Sequence, residues 1–466
     1  MKKSPKSPPS GLPRRRTKAM AAGALAFGVA VALTGCGGGS GKASTSGSGS
    51  SGSGSSSSGG QKASGNATSG SITWWASPIT SSAPDPRTVL ISAFEKAYPG
   101  IKVTLQDAPN DTDTNRSVLT TQISGGGGPD VYMGDVIWPA QFAAHQLAVP
   151  LSNYLPKSYF NTFAPGLIQG ASYKGEVIGA PFFEDQGFLY YRKDLLAADN
   201  LSVPTTWEQL VSDSKTIQSK GQAKYGFVFQ GADYEGATCD FMEFLADAGG
   251  KVLNSSNTKS ALTANGDAVK ALSFEVSLVK QGISPSAEST FQESQAMDAF
   301  DAGQSAFLRN WDYAYSTSQA SGSSVIGKVG VAPMPTFSGN TPPGYSNIGG
   351  WNLYINPHSK NIAADLTFIK WMTGTDAQHI LATQFSEIPT NESVRTSQSV
   401  VSANPVLAIV PKTKLVPRPA GTPAYPQVSQ AIYQNVSSAL AGQESPQAAI
   451  SAANNSINQA LSSSGL

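Results

Sequence analysis

The chain has 466 residues, with 32 Lys and Arg against 31 Asp and Glu and a formal net charge of +1. Seven of the basic residues fall within the first 18 positions; the rest of the chain carries 25 basic against 31 acidic residues, a net of about −6, which disfavours nucleic acid as a partner. Cys36 and Cys239 are the two cysteines, too few for a disulfide framework once one of them is modified.

The amino terminus reads as an address. A basic leader without acids precedes a short apolar run over residues 19–33, ending in Leu33-Thr34-Gly35-Cys36. This is the pattern of a bacterial secretion signal with a lipobox. Residues 1–35 are expected to be removed and the Cys36 thiol lipidated. The apolar run is shorter than the roughly 20 residues that a membrane-spanning helix needs. Arg14-Arg15-Arg16 leaves general secretion and twin-arginine export both open. Residues 36–70 are almost wholly Ser, Gly, Ala and Thr. With no side chain large enough to anchor a core, they are expected to form a flexible tether with a reach on the order of 30 Å. The body beyond is too long for one small core and suits two lobes.

Along the body, a strand is predicted over residues 72–76 and a proline-rich loop over 77–87. Leu90, Phe94 and Ala97 recur at helical spacing, Pro99-Gly100 ends that helix, and Ile101, Val103 and Leu105 alternate as a strand. The body therefore opens β-α-β. Residues 111–115 resemble the start of a calcium loop, but Arg116 stands where that loop needs Gly and Gln122 where it needs Glu. A helix over 118–124 ends in four glycines, which lack the Lys-Ser/Thr of a phosphate loop. The strand over 131–133 delivers Asp135 to its carboxyl end, where ligands of open α/β sheets sit. Capping the next helix is the plainer role for the same residue.

Residues 179–196, G-A-P-F-F-E-D-Q-G-F-L-Y-Y-R-K-D-L-L, have the form of a crossing between lobes. Glu184 and Asp185 are neighbours on an extended segment, so their side chains point to opposite faces. At most one of them reaches a shared cleft. Farther on, Pro204-Thr205-Thr206-Trp207 marks a helix entry with Thr as cap, a strand covers 224–230, and a helix over 239–248 holds Cys239 as a packed thiol. A helix over 297–303 precedes a strand that starts at 305 and runs into a loop by 313, and another strand covers 329–334. In the strand over 349–355, Gly349-Gly350 before Trp351 permits close approach of a ligand or a backbone. A helix over 366–372, an extended loop over 416–419 and helices over 428–440 and 446–461 complete the pattern. His145, His358 and His379 lie without metal spacing and no nucleophile elbow occurs, so neither metal nor cofactor is expected.

In this order the motifs resemble the extracellular solute-binding proteins of ABC sugar importers, in particular the trehalose- and maltose-binding lipoproteins. The resemblance rests on Asp135-Val136-Ile137-Trp138, Asp185 with the following Gly187-Phe188-Leu189-Tyr190-Tyr191, and Tyr234-Glu235-Gly236. Arg309-Asn310-Trp311-Asp312-Tyr313, Gly349-Gly350-Trp351 and Pro417-Arg418-Pro419 with Tyr425 complete it. It covers nearly all of residues 71–466. It implies an α/β, two-lobed periplasmic-binding-protein-like fold with a hinge and a ligand cleft between the lobes. Residues 71–180 would begin lobe 1, with a return near 345–380. Residues 181–344 would begin lobe 2, and 381–466 would mainly complete it.

The resemblance further implies sugar contacts at Asp135, Asp185, Trp311, Tyr313, Gly350, Trp351 and Arg418, with Arg116 as another. The family's acidic contact in the first β-to-α loop has Asp85 as its one match, and Glu184 is an extra acid beside the expected site. The implied protein is a monomer, held by Cys36 at the extracellular face of the cell membrane. It would bind a disaccharide or oligosaccharide, trehalose or maltose first, and deliver it to the permease subunits. The residue types suit the task, since carboxylates and guanidinium groups each engage two neighbouring hydroxyls and indoles cover the C–H faces of a pyranose. Two other readings share these residues. A glycoside hydrolase needs two carboxyl groups roughly 5 to 9.5 Å apart, and Asp135 with Asp185 are the candidates. An envelope-scaffold lipoprotein needs no small ligand.

Overall fold

The computed structural model describes residues 64–80, 83–164 and 166–463; the leader, Cys36 and most of the tether lie outside the described residues. With strands numbered along the chain, the larger sheet runs β12 (Ile388–Pro389), β6 (Ala180–Gln186), β11 (Tyr345–Ile355), β3 (Val131–Asp135), β1 (Gly70–Ala76) and β2 (Ile101–Asp107). The strand β13 (Lys414–Pro417) pairs with the leading end of β11. A second sheet runs β10 (Val329–Ala332), β7 (Phe188–Arg192), β9 (Ser305–Asn310) and β8 (Tyr225–Val228), and β4 (Ser172–Tyr173) pairs with β5 (Glu176–Val177) as a small hairpin.

The expected β-α-β opening is present. In β1 the buried residues Ile72, Trp74 and Ala76 alternate, and the strand pairs parallel to β2 and β3. The helix Pro86–Ala97 crosses between β1 and β2 and buries Leu90 and Phe94. Around Trp74, Phe182 and Phe368 stand edge-on at 6.2 and 5.3 Å, so this core is built on aromatic rings. All residues of β6 are buried, as a strand covered on both faces requires. The second sheet has its own core, in which Trp207 meets Phe244 at 4.5 Å and helices Glu235–Asp247 and Tyr425–Leu440 contribute their buried faces.

Between the sheets the chain crosses at Gly187, the single residue separating β6 from β7. A side chain there would collide with Glu243 Oε1 and Arg309 Nη2, so only glycine fits. The boundary expected at 181 moves to this residue, because residues 180–186 pair with β11 inside the first sheet. Residues 381–466 are divided: β12 and β13 join the first sheet, while helices Tyr425–Leu440 and Pro446–Ser463 pack in the second core.

Three local expectations change. The helix predicted over 118–124 spans Thr112–Ser124, with the Asp111 side chain accepting from Thr114 N at 2.7 Å, so the calcium-like run is a capped helix start. The loop predicted over 416–419 is in part β13, held by backbone pairing that its Pro and Arg content conceals. The tether predicted through residue 70 ends earlier: Ala67 N donates to Thr367 Oγ1 at 2.9 Å and Lys370 Nζ to Gly65 O at 3.2 Å. Backbone groups dock this segment on the helix Ile362–Met372, which side-chain composition does not reveal. Among the described residues no helix is long and apolar enough to cross a membrane.

Candidate functional site

Strand register assembles the site. The central strand β11 lies antiparallel between β3 and β6, placing Trp351 beside Asp135 on one side and Phe183 on the other. One step back along β11, Gly350 faces Glu184, and Gly349 faces Asp185. Gly350 has φ +119°, and a Cβ there would lie 2.6 Å from Phe183 O, so glycine is what lets β6 and β11 approach. Because neighbours on β6 alternate faces, Asp185 and Glu184 point apart. Asp185 lines a cavity of about 210 Å³ together with Asp135, Trp311, Tyr313, Trp351 and Arg418. Glu184 lines another cavity of about 680 Å³, which shares Phe183, Gly349 and Arg418 with the first.

Arg418, just beyond β13, is the cationic centre of the first cavity. Its Nη2 and Nη1 donate to Asp135 Oδ1 and Oδ2 at 2.7 and 3.2 Å, and Nη1 also donates to Glu235 Oε1 at 2.9 Å. Such a fork holds a planar guanidinium in one orientation. Glu235 opens the helix Glu235–Asp247 and also accepts from the Tyr425 hydroxyl at 2.6 Å and the Ser429 hydroxyl at 2.5 Å. Burial nevertheless pushes its carboxyl up to about 7, against the pull of Arg418. One guanidinium therefore links Asp135 on the first sheet to Glu235 on the second core.

Trp311 and Tyr313 follow β9 into the cavity. The Arg309 guanidinium lies 4.1 Å from the Trp311 ring centroid and is itself fixed by Glu243 at 2.6 Å and Asp240 at 2.9 Å. The indole is thus seated on a buried cation rather than left to rotate. Asp185 is 7% exposed and has its carboxyl raised to about 7, chiefly by burial. The Asp185, Asp312 and Glu387 carboxylates converge, with ligand oxygens all within 4.8 Å of one another. Across the cavity, the buried hydroxyls of Thr80 and Thr317 approach to 3.1 Å and tie the first β-to-α loop to the second lobe.

Of the sequence-derived candidates, Asp135, Asp185, Trp311, Tyr313, Gly350, Trp351 and Arg418 are brought together around this cavity. Arg116 is not: its Nη2 donates to Asp113 at 3.1 Å one turn away on its own helix. Asp85 is not either, because it caps the helix Pro86–Ala97 and holds Arg87 at 2.6 Å. Glu184 pairs with Arg395 at 2.5 Å on the opposite face of β6. Cys36 lies outside the described residues. The residues that sequence reasoning left unassigned are Glu235 and Glu293, both lining the cavity from helix starts, and Asp312 and Glu387 beside Asp185. An acid in the first turn of a helix was the available signal for the first two.

A cavity between two α/β lobes, walled by carboxylates, one arginine and two indoles, defines a two-lobed ligand-binding protein. Residues 80–379 match the bacterial extracellular solute-binding protein family, and the chain belongs to it. A probable ABC transporter-binding protein of Deinococcus radiodurans is 35% identical over 297 residues, covering 62% of this chain and 69% of that one. A mannitol-binding protein of Pseudomonas aeruginosa is 29% identical over 290 residues, 61% of this chain and 65% of that one. Among solved structures, the maltose-bound MalE3 of T. maritima overlays with a TM-score of 0.77 at 33% identity, covering 84% of this chain and 99% of that one. The overlay shows the same two-lobed α/β fold.

Proposed function

We propose that this protein is the lipid-anchored sugar receptor of an ABC importer, which captures an α-linked glucose disaccharide at the extracellular face of the membrane and delivers it to the permease. The observation that carries the reading is the convergence of Asp135, Asp185 and Arg418 with Trp311 and Trp351 on one cavity. Carboxylates and a fork-shaped guanidinium engage paired hydroxyls, and the two indoles offer flat apolar faces for pyranose C–H groups. The maltose-bound relative and the mannitol-binding relative support a polyhydroxylated ligand. Trehalose stands first and maltose second, with a longer oligosaccharide next.

The receptor binds and releases its sugar unchanged, acts as a monomer and is held at the membrane through Cys36. Asp135 serves as a hydrogen-bonding partner rather than as one of a hydrolytic pair, since Arg418 occupies both of its oxygens. Calorimetric titration of the purified protein with trehalose, maltose, cellobiose and lactose tests the ligand. Saturable one-to-one binding of trehalose or maltose, with the sugar recovered intact, is expected. Binding confined to the β-linked sugars rejects the α-glucoside, and hydrolysis lost in Asp185→Asn rejects the receptor.

A further inference from the structure

Three carboxylates from distant parts of the chain meet behind the sugar-facing surface. Asp185 is the next-to-last residue of β6, Asp312 follows β9 and Glu387 precedes β12; they are 7%, 0% and 0% exposed. Their ligand oxygens all lie within 4.8 Å of one another. That separation is the largest that two oxygens can have across a cation bound at about 2.4 Å, a calcium–oxygen distance. Outside the cluster both Glu387 oxygens, Asp185 Oδ1 and Asp312 Oδ1 are buried without a hydrogen-bond partner; within it, Asp185 lies close enough to Asp312 and to Glu387 to share a proton with either. Asp312 Oδ2 accepts from Ile388 N at 2.8 Å, which fixes its carboxyl plane.

Among the described residues no ion pair reaches any of these three acids. The arginines around them are committed elsewhere: Arg418 to Asp135 and Glu235, Arg395 to Glu184, and Arg309 to Asp240 and Glu243. Buried carboxylates are ordinarily paired with a cation, bound to a metal or neutralised by a proton. One bound cation would supply both the neutralising charge and the missing partners of Glu387.

We propose that Asp185, Asp312 and Glu387 form a binding site for a hard divalent cation, Ca²⁺ in the first place, at the base of the cleft. All donors are oxygen, the ligand class of Ca²⁺, and flexible seven- or eight-fold coordination tolerates an irregular carboxylate cage better than Mg²⁺ does. Asp185 also lines the sugar cavity, which gives the ion an entry path and brings it within reach of ligand hydroxyls. No spacing motif announces such a site, because its ligands come from three strand ends far apart in sequence.

The test uses the chelator-treated protein without sugar, so its outcome is independent of the ligand proposed above. Calorimetry with CaCl₂ should give one site per chain. Glu387→Gln and Asp312→Asn, each keeping an oxygen at the same position, should weaken it at least about tenfold, since affinity follows ligand charge. A crystal of the wild-type protein soaked in Tb³⁺ should give an anomalous peak among the three carboxylates, a readout that does not depend on either variant folding. Absence of binding by the wild type, an anomalous peak elsewhere, or unchanged affinity in both folded variants overturns the proposal and leaves protons to neutralise the cluster.

Discussion

Arg418 grips both oxygens of Asp135, at 2.7 and 3.2 Å, and with the same guanidinium reaches Glu235 at 2.9 Å. Arg418 is 8% exposed, Asp135 7% and Glu235 3%. In Arg418→Gln the two carboxylates lose their cation where water does not replace it. Breaking a buried pair in this way costs about 3–5 kcal/mol. Urea unfolding should show a loss on that scale, and sugar titration should show binding weakened at least tenfold. Wild-type stability in the variant would mean that the ion pair is solvated.

Trp311 is predicted to act through its face rather than its bulk. Trp311→Ala should weaken sugar binding about 10- to 100-fold, equivalent to roughly 1.4–2.8 kcal/mol. Trp311→Phe should recover part of the loss because a stacking face remains. Calorimetric titration of the three proteins checks the order, and equal affinities would remove the indole from the site.

The Glu235 carboxyl supplies a pH signature. Burial raises it to about 7, whereas an unfolded glutamate titrates near roughly 4.3. The folded state therefore holds the extra proton between these two values. Stability from this group is greatest below about 4.3, falls as pH rises toward 7 and is flat above. Urea unfolding at pH 5 and pH 8 should show a larger decline in the wild type than in Glu235→Gln, by on the order of 1–3 kcal/mol. An equal decline in both proteins would show that Glu235 titrates normally.

Asp85 should separate stability from binding. It caps the helix Pro86–Ala97 and accepts from Arg87 N at 2.9 Å, yet does not line the cavity. Asp85→Ala should lower unfolding free energy by about 1 kcal/mol, the usual scale for a lost cap. Sugar affinity should stay within twofold of the wild type. A large affinity loss without destabilisation would restore it as a sugar contact.

The positions legible in the sequence were those where a side chain's neighbours along the chain set its direction. Asp135 at a strand end, Trp351 after two glycines and Asp185 opposed to Glu184 follow from the two-residue period of a strand. The sequence could not weigh competing local partners: Arg116 finds Asp113 three residues away, and Asp85 finds Arg87 two residues away. Nor could it say which sheet an all-buried strand joins, so the lobe boundary at 181 cut β6 after its first residue. The acids around Asp185 were hidden for a third reason. Asp312 and Glu387 approach Asp185 only through the pairing of β12 with β6 and of β9 with β7, and no local pattern encodes that meeting.

A crystal structure grown with trehalose tests the central claim most directly, because Asp185 and Glu184 line different cavities. The account predicts sugar density in the 210 Å³ cavity, with hydroxyls on Asp135, Asp185 and Arg418 and a ring against Trp311 or Trp351. Sugar bound instead in the 680 Å³ cavity beside Glu184 and Arg395, with the first cavity filled by water, would contradict it.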